Sequence, residues 1–369
     1  MIESFLIFLL VLSVLILFHE FGHFLVARYF GVWVEEFGWG LPPRIFGKKI
    51  GETIYSINAL PIGGFVKLHG EMTGDNVTNP TRAFVNKPKK IKGLIIIAGV
   101  VMNFILAVLC FSIVYTASGV PQDTKKVKIL EISTGSPAQI SGLVIGDIVK
   151  KVDGKEVIST AEFISLVEQK KGKKAIFDIE RKEKGELVAK KITVSPRGNP
   201  PKKEGPLGVA ISTIDIYYPP LYLRPFYGVY YGFKESLFWG KIVGMGFVKI
   251  FQDLAMGHAP QGLSGPVGIF IVTHEAAKAG VLVLINFIGV FSVNLAIFNL
   301  LPFPALDGGR LLFVGLEKVL GKKVLPKVES TIHTIGMVIL LALLFLISAR
   351  EVKIVSQVGV SGFVDKMLR

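Results

Sequence analysis

Cysteine, histidine and charge are scarce in this chain of 369 residues: one Cys, six His, and Asp, Glu, Lys and Arg together at 19%. A lone thiol, Cys110, forms no disulfide framework and no cysteine cluster for metal. Scarce charge, against about 25% in ordinary soluble proteins, combines with 51% apolar residues and a mean hydropathy of +0.55. That combination argues against a soluble globular enzyme and for segments that meet lipid. Acidic residues are also outnumbered, 28 against 42 basic, for a net charge of +14. Such an excess suits nucleic acid or an anionic bilayer surface. No basic stretch carries the aromatic spacing of a nucleic-acid platform, so a lipid bilayer is the expected partner and nucleic acid is not.

What is abundant is long apolar runs. Four segments, 5–29, 94–117, 282–301 and 332–349, approach or exceed the roughly 20 residues a helix needs to cross about 30 Å of hydrocarbon. The first begins near Glu3 rather than after a basic stretch, and no small-x-small cleavage site follows it, so a span is expected there and not a cleaved signal peptide. Basic residues crowd between the first two runs (Arg44, Lys48, Lys49, Lys67, Arg82, Lys87, Lys89, Lys90, Lys92) and between the last two (Arg310, Lys318, Lys322, Lys323, Lys327). The positive-inside rule makes both loops cytoplasmic and residues 120–280 extracytoplasmic. The basic tail, Arg350, Lys353, Lys366 and Arg369, falls outside on this count and dissents from it.

Four regions follow: an N-terminal membrane part over 1–120, a polar domain over 121–215, an interfacial aromatic segment over 216–280 and a C-terminal membrane part over 281–369. In the polar domain, runs such as Lys128-Ile129-Leu130-Glu131-Ile132 and Ala175-Ile176-Phe177-Asp178-Ile179 alternate as strands do, and 160–170 has the apolar spacing of a short amphipathic helix. Its Ser136-Pro137-Ala138-Gln139-Ile140-Ser141-Gly142-Leu143, Gly146-Asp147-Ile148-Val149 and Val152-Asp153-Gly154 resemble the bacterial PDZ domain. Gly205-Pro206-Leu207-Gly208-Val209 is similar to that family's carboxylate loop in its circularly permuted form. The resemblance implies an α+β domain that takes a peptide or C-terminus as an added strand; a spacer that only excludes bulky proteins is the alternative. The aromatic segment, from Tyr217 to Trp239, is expected on the outer face of the bilayer, with a further short span as the rival.

The first run ends in His19-Glu20-Phe21-Gly22-His23. On a helix, residues four apart stack one turn above the other, so both imidazoles face one point and are able to hold one zinc ion. Glu20 faces the same region, where a carboxylate is able to deprotonate water. Polar groups cost about 2.5–3.5 kcal/mol each near the centre of a span when charged, which makes function the default explanation for three of them in five residues. Catalytic zinc needs a third protein ligand. Asp307, after Pro302 and Pro304 and before Gly308-Gly309, emerges from the third run on the same, cytoplasmic side.

Taken together, His19-Glu20-Phe21-Gly22-His23, the central PDZ-like domain, Asn299-x-x-Pro302 and Leu306-Asp307-Gly308 resemble the site-2 protease family of intramembrane zinc proteases. The similarity is to its bacterial branch typified by the regulator of sigma-E protease. Pro61-Ile62-Gly63-Gly64-Phe65-Val66-Lys67 is similar to that branch's membrane-associated β-hairpin. The resemblance implies zinc on His19, His23 and Asp307, Glu20 as general base, and Asn294 and Asn299 holding the substrate backbone or the developing oxyanion. It implies a multi-pass helical protein of the bacterial inner membrane, with single-pass transmembrane proteins such as anti-sigma factors or remnant signal peptides as substrates. An unwound substrate needs an edge strand, expected in 32–68, where 53–57 and 65–68 look strand-like. A non-catalytic scaffold that gathers partners through the PDZ-like domain, and a zincin acting on soluble peptides, are the competing readings.

Overall fold

The computed structural model describes residues 2–71, 77–183, 185–201, 204–258, 264–321 and 326–367; Lys322, Lys323 and Arg369, named above among the basic flanks, lie outside them. In chain order the elements are α1 (Ile2–Tyr29), β1 (Val34–Ile50), β2 (Thr53–Leu68), α2 (Lys89–Ser118), β3 (Val120–Ile132), α3 (Pro137–Ile140), β4 (Ile148–Val152), β5 (Lys155–Glu156) and α4 (Thr160–Gln169). Then follow β6 (Ala175–Glu183), β7 (Glu186–Val194), β8 (Val209–Tyr217), α5 (Arg224–Ala255), α6 (Pro266–Ala279), α7 (Val281–Leu300), α8 (Asp307–Leu320) and α9 (Pro326–Met367). The chain forms two compact units, one of residues 1–117 with 222–369 and one of 118–221.

In the first unit, four helices among the described residues are long and apolar enough to cross a membrane: Ile2–Tyr29, Lys89–Ser118, Val281–Leu300 and Val328–Val360. They correspond to the four apolar runs. The last extends well beyond the run itself, because the α9 backbone stays helical through the basic Arg350 and Lys353 and breaks only at Gly359, with φ 72°. A Schellman motif stops α1: Gly31 takes a left-handed φ of 66°, its N–H donates to Arg28 O, and the N–H of Val32 donates to Ala27 O at 2.9 Å.

That turn aims the chain into a sheet in which β1 and β2 each pair twice. Phe37 is opposite both Val66 and Tyr55, and Tyr55 is opposite both Phe37 and Lys48. The order across the sheet is therefore 44–50, 53–58, 34–39, 64–68. Residues 53–57, strand-like in the sequence, are interior and bonded on both sides; 64–68 is an edge.

Tyr217 ends β8, and the tract from Phe226 onward lies on a 32-residue helix, α5, which packs against α7 and meets α2. Close approach to α2 rests on glycine: a Cβ on Gly228 would stand 2.0 Å from Thr116 Oγ1, and one on Gly232 2.6 Å from Ser112 Oγ. Glu235 accepts from Tyr115 Oη at 2.9 Å and from Trp239 Nε1 at 3.0 Å. The shorter α6 packs against α1, α7 and α9.

The second unit is an antiparallel sheet in the order β7-β6-β4-β3-β8, with β5 paired to β4. Its core holds Val127, Ile129, Val149, Phe163, Phe177, Ile179 and Leu207. Ser136 and Ser159 cap α3 and α4, each accepting a backbone N–H three residues on. Fully buried Asp147 receives Nε and Nη2 of Arg181 at 2.8 Å and the N–H of Val144 at 3.0 Å.

Candidate metal centre

His19, Glu20 and His23 occupy adjacent turns of α1, which crosses α2 at a pair of glycines. A Cβ on Gly22 would stand 2.3 Å from Ala98 O, and one on Gly99 2.5 Å from His23 Nε2 and 2.6 Å from His19 Cε1. Hydrogen in place of methyl at both positions lets the helices touch, and lays the two rings against bare backbone.

Each ring is held at its Nδ1. His23 Nδ1 donates to Ile95 O at 2.8 Å. His19 Nδ1 lies 3.3 Å from the amide of Asn103, through Nδ2, while the buried Asn103 Oδ1 has no partner. Turned over, the amide brings that orphaned acceptor to the ring N–H and satisfies both groups. Asn103 is itself fixed, since its carbonyl accepts from Ser292 Oγ at 2.7 Å. With both Nδ1 atoms carrying protons, both Nε2 atoms present lone pairs.

Asp307 opens α8, where a helix N-terminus favours a carboxylate. The chain reaches it by a reversal too tight for side chains: a Cβ on Gly308 would stand 2.2 Å from Leu301 O, and one on Gly309 2.4 Å from Phe303 O. Asp307 Oδ2 lies 2.9 Å from His19 Nε2 and 3.2 Å from His23 Nε2, and the two Nε2 atoms are 3.2 Å apart. No well-formed hydrogen bond satisfies the buried Oδ2. Three converging acceptor atoms repel unless a cation lies among them. Edges of 2.9–3.2 Å are close to the roughly 3.3 Å edge of a tetrahedron with bonds of about 2.0–2.1 Å, so the trio fits one small divalent ion.

Glu20 Oε2 accepts the N–H of Val66, on the edge strand, at 3.0 Å. The far end of that edge is tied to α8: Glu71 accepts Leu68 N–H at 3.3 Å and Arg310 Nη1 at 2.5 Å. The centre thus gathers α1, α2, the sheet edge and the start of α8.

Of the two asparagines singled out on the third run, Asn294 donates Nδ2 to Val290 O within its own helix at 2.9 Å. Asn299 makes no side-chain hydrogen bond among the described residues. Among the other histidines, His274 is bonded to Ser4 and His69 to Glu35 and Asn79. Sequence reasoning passed over Asn103; Val66 it placed in the hairpin motif without a role beside Glu20, and Gly99 without a role against the two rings. A polar residue in the apolar run 94–117 was the available signal for Asn103.

A family model described as peptidase family M50 matches residues 7–343. A Clostridium perfringens protein is 35% identical over 346 residues, covering 93% of this chain and 97% of its own. Zinc metalloprotease RasP of Geobacillus kaustophilus is 28% identical, covering 95% of this chain and 98% of its own. The regulator of sigma-W protease RasP of Bacillus subtilis is 27% identical, covering 94% and 97%.

Proposed function

The chain belongs to peptidase family M50, the site-2 protease family, and is a zinc metalloendopeptidase; from that premise we propose that it cuts single-pass transmembrane proteins within or beside the bacterial cytoplasmic membrane. The observation that supports this reading most is the meeting of His19, His23 and Asp307 from opposite ends of the sequence, with their acceptor atoms within 3.2 Å of one another.

His19 and His23 would hold zinc through Nε2 and Asp307 through Oδ2, leaving a fourth position open. When bound, the ion supplies Lewis acidity that brings the pKa of a water to about 7. Glu20 takes the proton of the attacking water on its carboxylate and delivers it to the departing amine. Asn103 and the Ile95 carbonyl keep the two rings in the tautomer that presents Nε2.

A substrate helix unwinds before it is cut, and its freed backbone groups need partners. The edge 64–68 supplies them as the receiving strand, with the N–H of Val66, after release from Glu20, as one donor. Asn299, whose amide is unengaged among the described residues, and Asn294, after release from Val290, contribute donors to the substrate carbonyl or the developing oxyanion.

Residues 118–221 act as a PDZ domain on the extracytoplasmic side. The edge strand β8 and the loop 205–209 receive a peptide or C-terminus, or the domain excludes bulky proteins. The basic loops of the first unit face the cytoplasm. Anti-sigma factors and remnant signal peptides are the proposed substrates.

Glu20→Gln tests the assignment. The purified variant is expected to keep its zinc and any peptide binding by residues 118–221 while losing cleavage of a model transmembrane peptide. A variant that still cleaves overturns it.

A further inference from the structure

Ala305 stands two residues before Asp307 with φ +78°, a left-handed conformation that costs an L-residue free energy and that alanine, with no polar side chain, does nothing to offset. Strain of this kind persists only where the surroundings impose it. Here they come from α9. The N–H of Ala305 donates to His333 Nδ1 at 2.9 Å. One turn further along the same helix face, the backbone at Gly336 lies so close to the loop that a Cβ there would stand 2.4 Å from Pro304 Cβ and 2.8 Å from Pro304 O.

His333 accepts at Nδ1, so its proton is on Nε2, which is buried and has no hydrogen-bond partner among the described residues. A residue kept for packing alone would not leave a polar atom stranded. Its ring is braced by Phe313, with centroids 5.6 Å apart, and so directs Nδ1 at the loop. On the other side, the loop closes on itself through Leu306 N–H to Phe303 O at 3.2 Å. The path from Pro302 to Asp307 is therefore fixed from α9 at two consecutive residues, 304 and 305.

We propose that His333 and Gly336 are positioning residues for the metal centre: α9 imposes the left-handed turn at Ala305 and thereby sets where Asp307 presents its carboxylate, although α9 contributes no ligand. This rests on Asp307 being a zinc ligand, as proposed above. Asparagine serves as the conservative replacement for His333, because its Oδ1 is an acceptor three bonds from Cα, as Nδ1 of histidine is.

The test uses the full-length protein in detergent, with zinc affinity read by chelator competition and backbone hydrogen exchange over 303–309 read in the metal-free state. Asp307→Ala is expected to lose zinc whatever happens at 333; retention there sinks the ligand assignment, while the exchange measurement still reports on the loop. His333→Leu is expected to weaken zinc binding about 10- to 100-fold, the range for lost outer-shell partners, and to speed exchange at Ala305. His333→Asn should stay close to wild type on both readouts. Ala305→Gly in the His333→Leu background should recover part of the lost affinity, since glycine takes positive φ without strain. Gly336→Ala should weaken zinc binding independently by pushing on Pro304. Wild-type affinity and exchange in His333→Leu, or no recovery in the double variant, overturns the proposal.

Discussion

Gly99→Ala sets a methyl group against both imidazoles. The added Cβ would lie 2.5 Å from His23 Nε2 and 2.6 Å from His19 Cε1, whereas ordinary contact begins near 3.4 Å. The rings or the helix crossing must give by about 0.9 Å, the difference between 3.4 and 2.5. Productive geometry tolerates displacements of about 0.5 Å, and a misplacement of about 1 Å costs on the order of 100-fold in rate, or about 2.7 kcal/mol at 1.36 kcal/mol per decade. Helix propensity moves the other way, by up to about 1 kcal/mol in favour of alanine, so any loss belongs to the site and not to α2. Gly93→Ala on the same helix is the control, with its nearest foreign atom, Leu311 Cδ1, at 3.6 Å. Zinc per chain by mass spectrometry and cleavage of a transmembrane peptide in micelles form the assay. Full zinc loading with wild-type cleavage in Gly99→Ala would refute the reasoning.

Asn103→Ala should lower zinc affinity about 10- to 100-fold by freeing His19 Nδ1, measured by chelator competition; unchanged affinity would remove Asn103 from the site. Val66→Pro deletes the donor at the sheet edge and should slow cleavage of a helical substrate more than of an unfolded peptide of the same sequence, and equal effects would count against strand addition. In the second unit, Arg181→Met strands the buried Asp147 carboxylate and should destabilise that unit by about 3–5 kcal/mol, read as faster hydrogen exchange in β4 and β6; unaltered protection would mean the pair carries little. Stripping zinc with a chelator should abolish cleavage and readdition should restore it, while activity that survives full removal would contradict the metal-dependent reading.

The legible parts of this molecule were those encoded within a few residues. Helical spacing alone brings His19 and His23 to one point, and apolar run length alone marks the four helices apolar enough to cross a membrane. Asp307 depended on a resemblance and on counting crossings, because nothing local links residue 307 to residue 23. The sheet was legible only in part: residues 53–57 look as strand-like as 64–68, yet one is interior and the other an edge, since both strands bend and pair twice. Asn103 reads in the sequence like any asparagine bridging helices in lipid. Ala305 carries no mark at all, because its conformation is imposed by α9 and not chosen by its own side chain.

X-ray absorption at the zinc edge, on the loaded wild type and on Asp307→Ala, tests the central assignment most directly. The account predicts about two imidazole nitrogens at roughly 2.0–2.1 Å and carboxylate oxygen at roughly 2.0–2.2 Å in the wild type, with the carboxylate contribution and most of the metal lost in the variant. A wild-type shell without two imidazoles, or a variant whose zinc content and shell are unchanged, would contradict it.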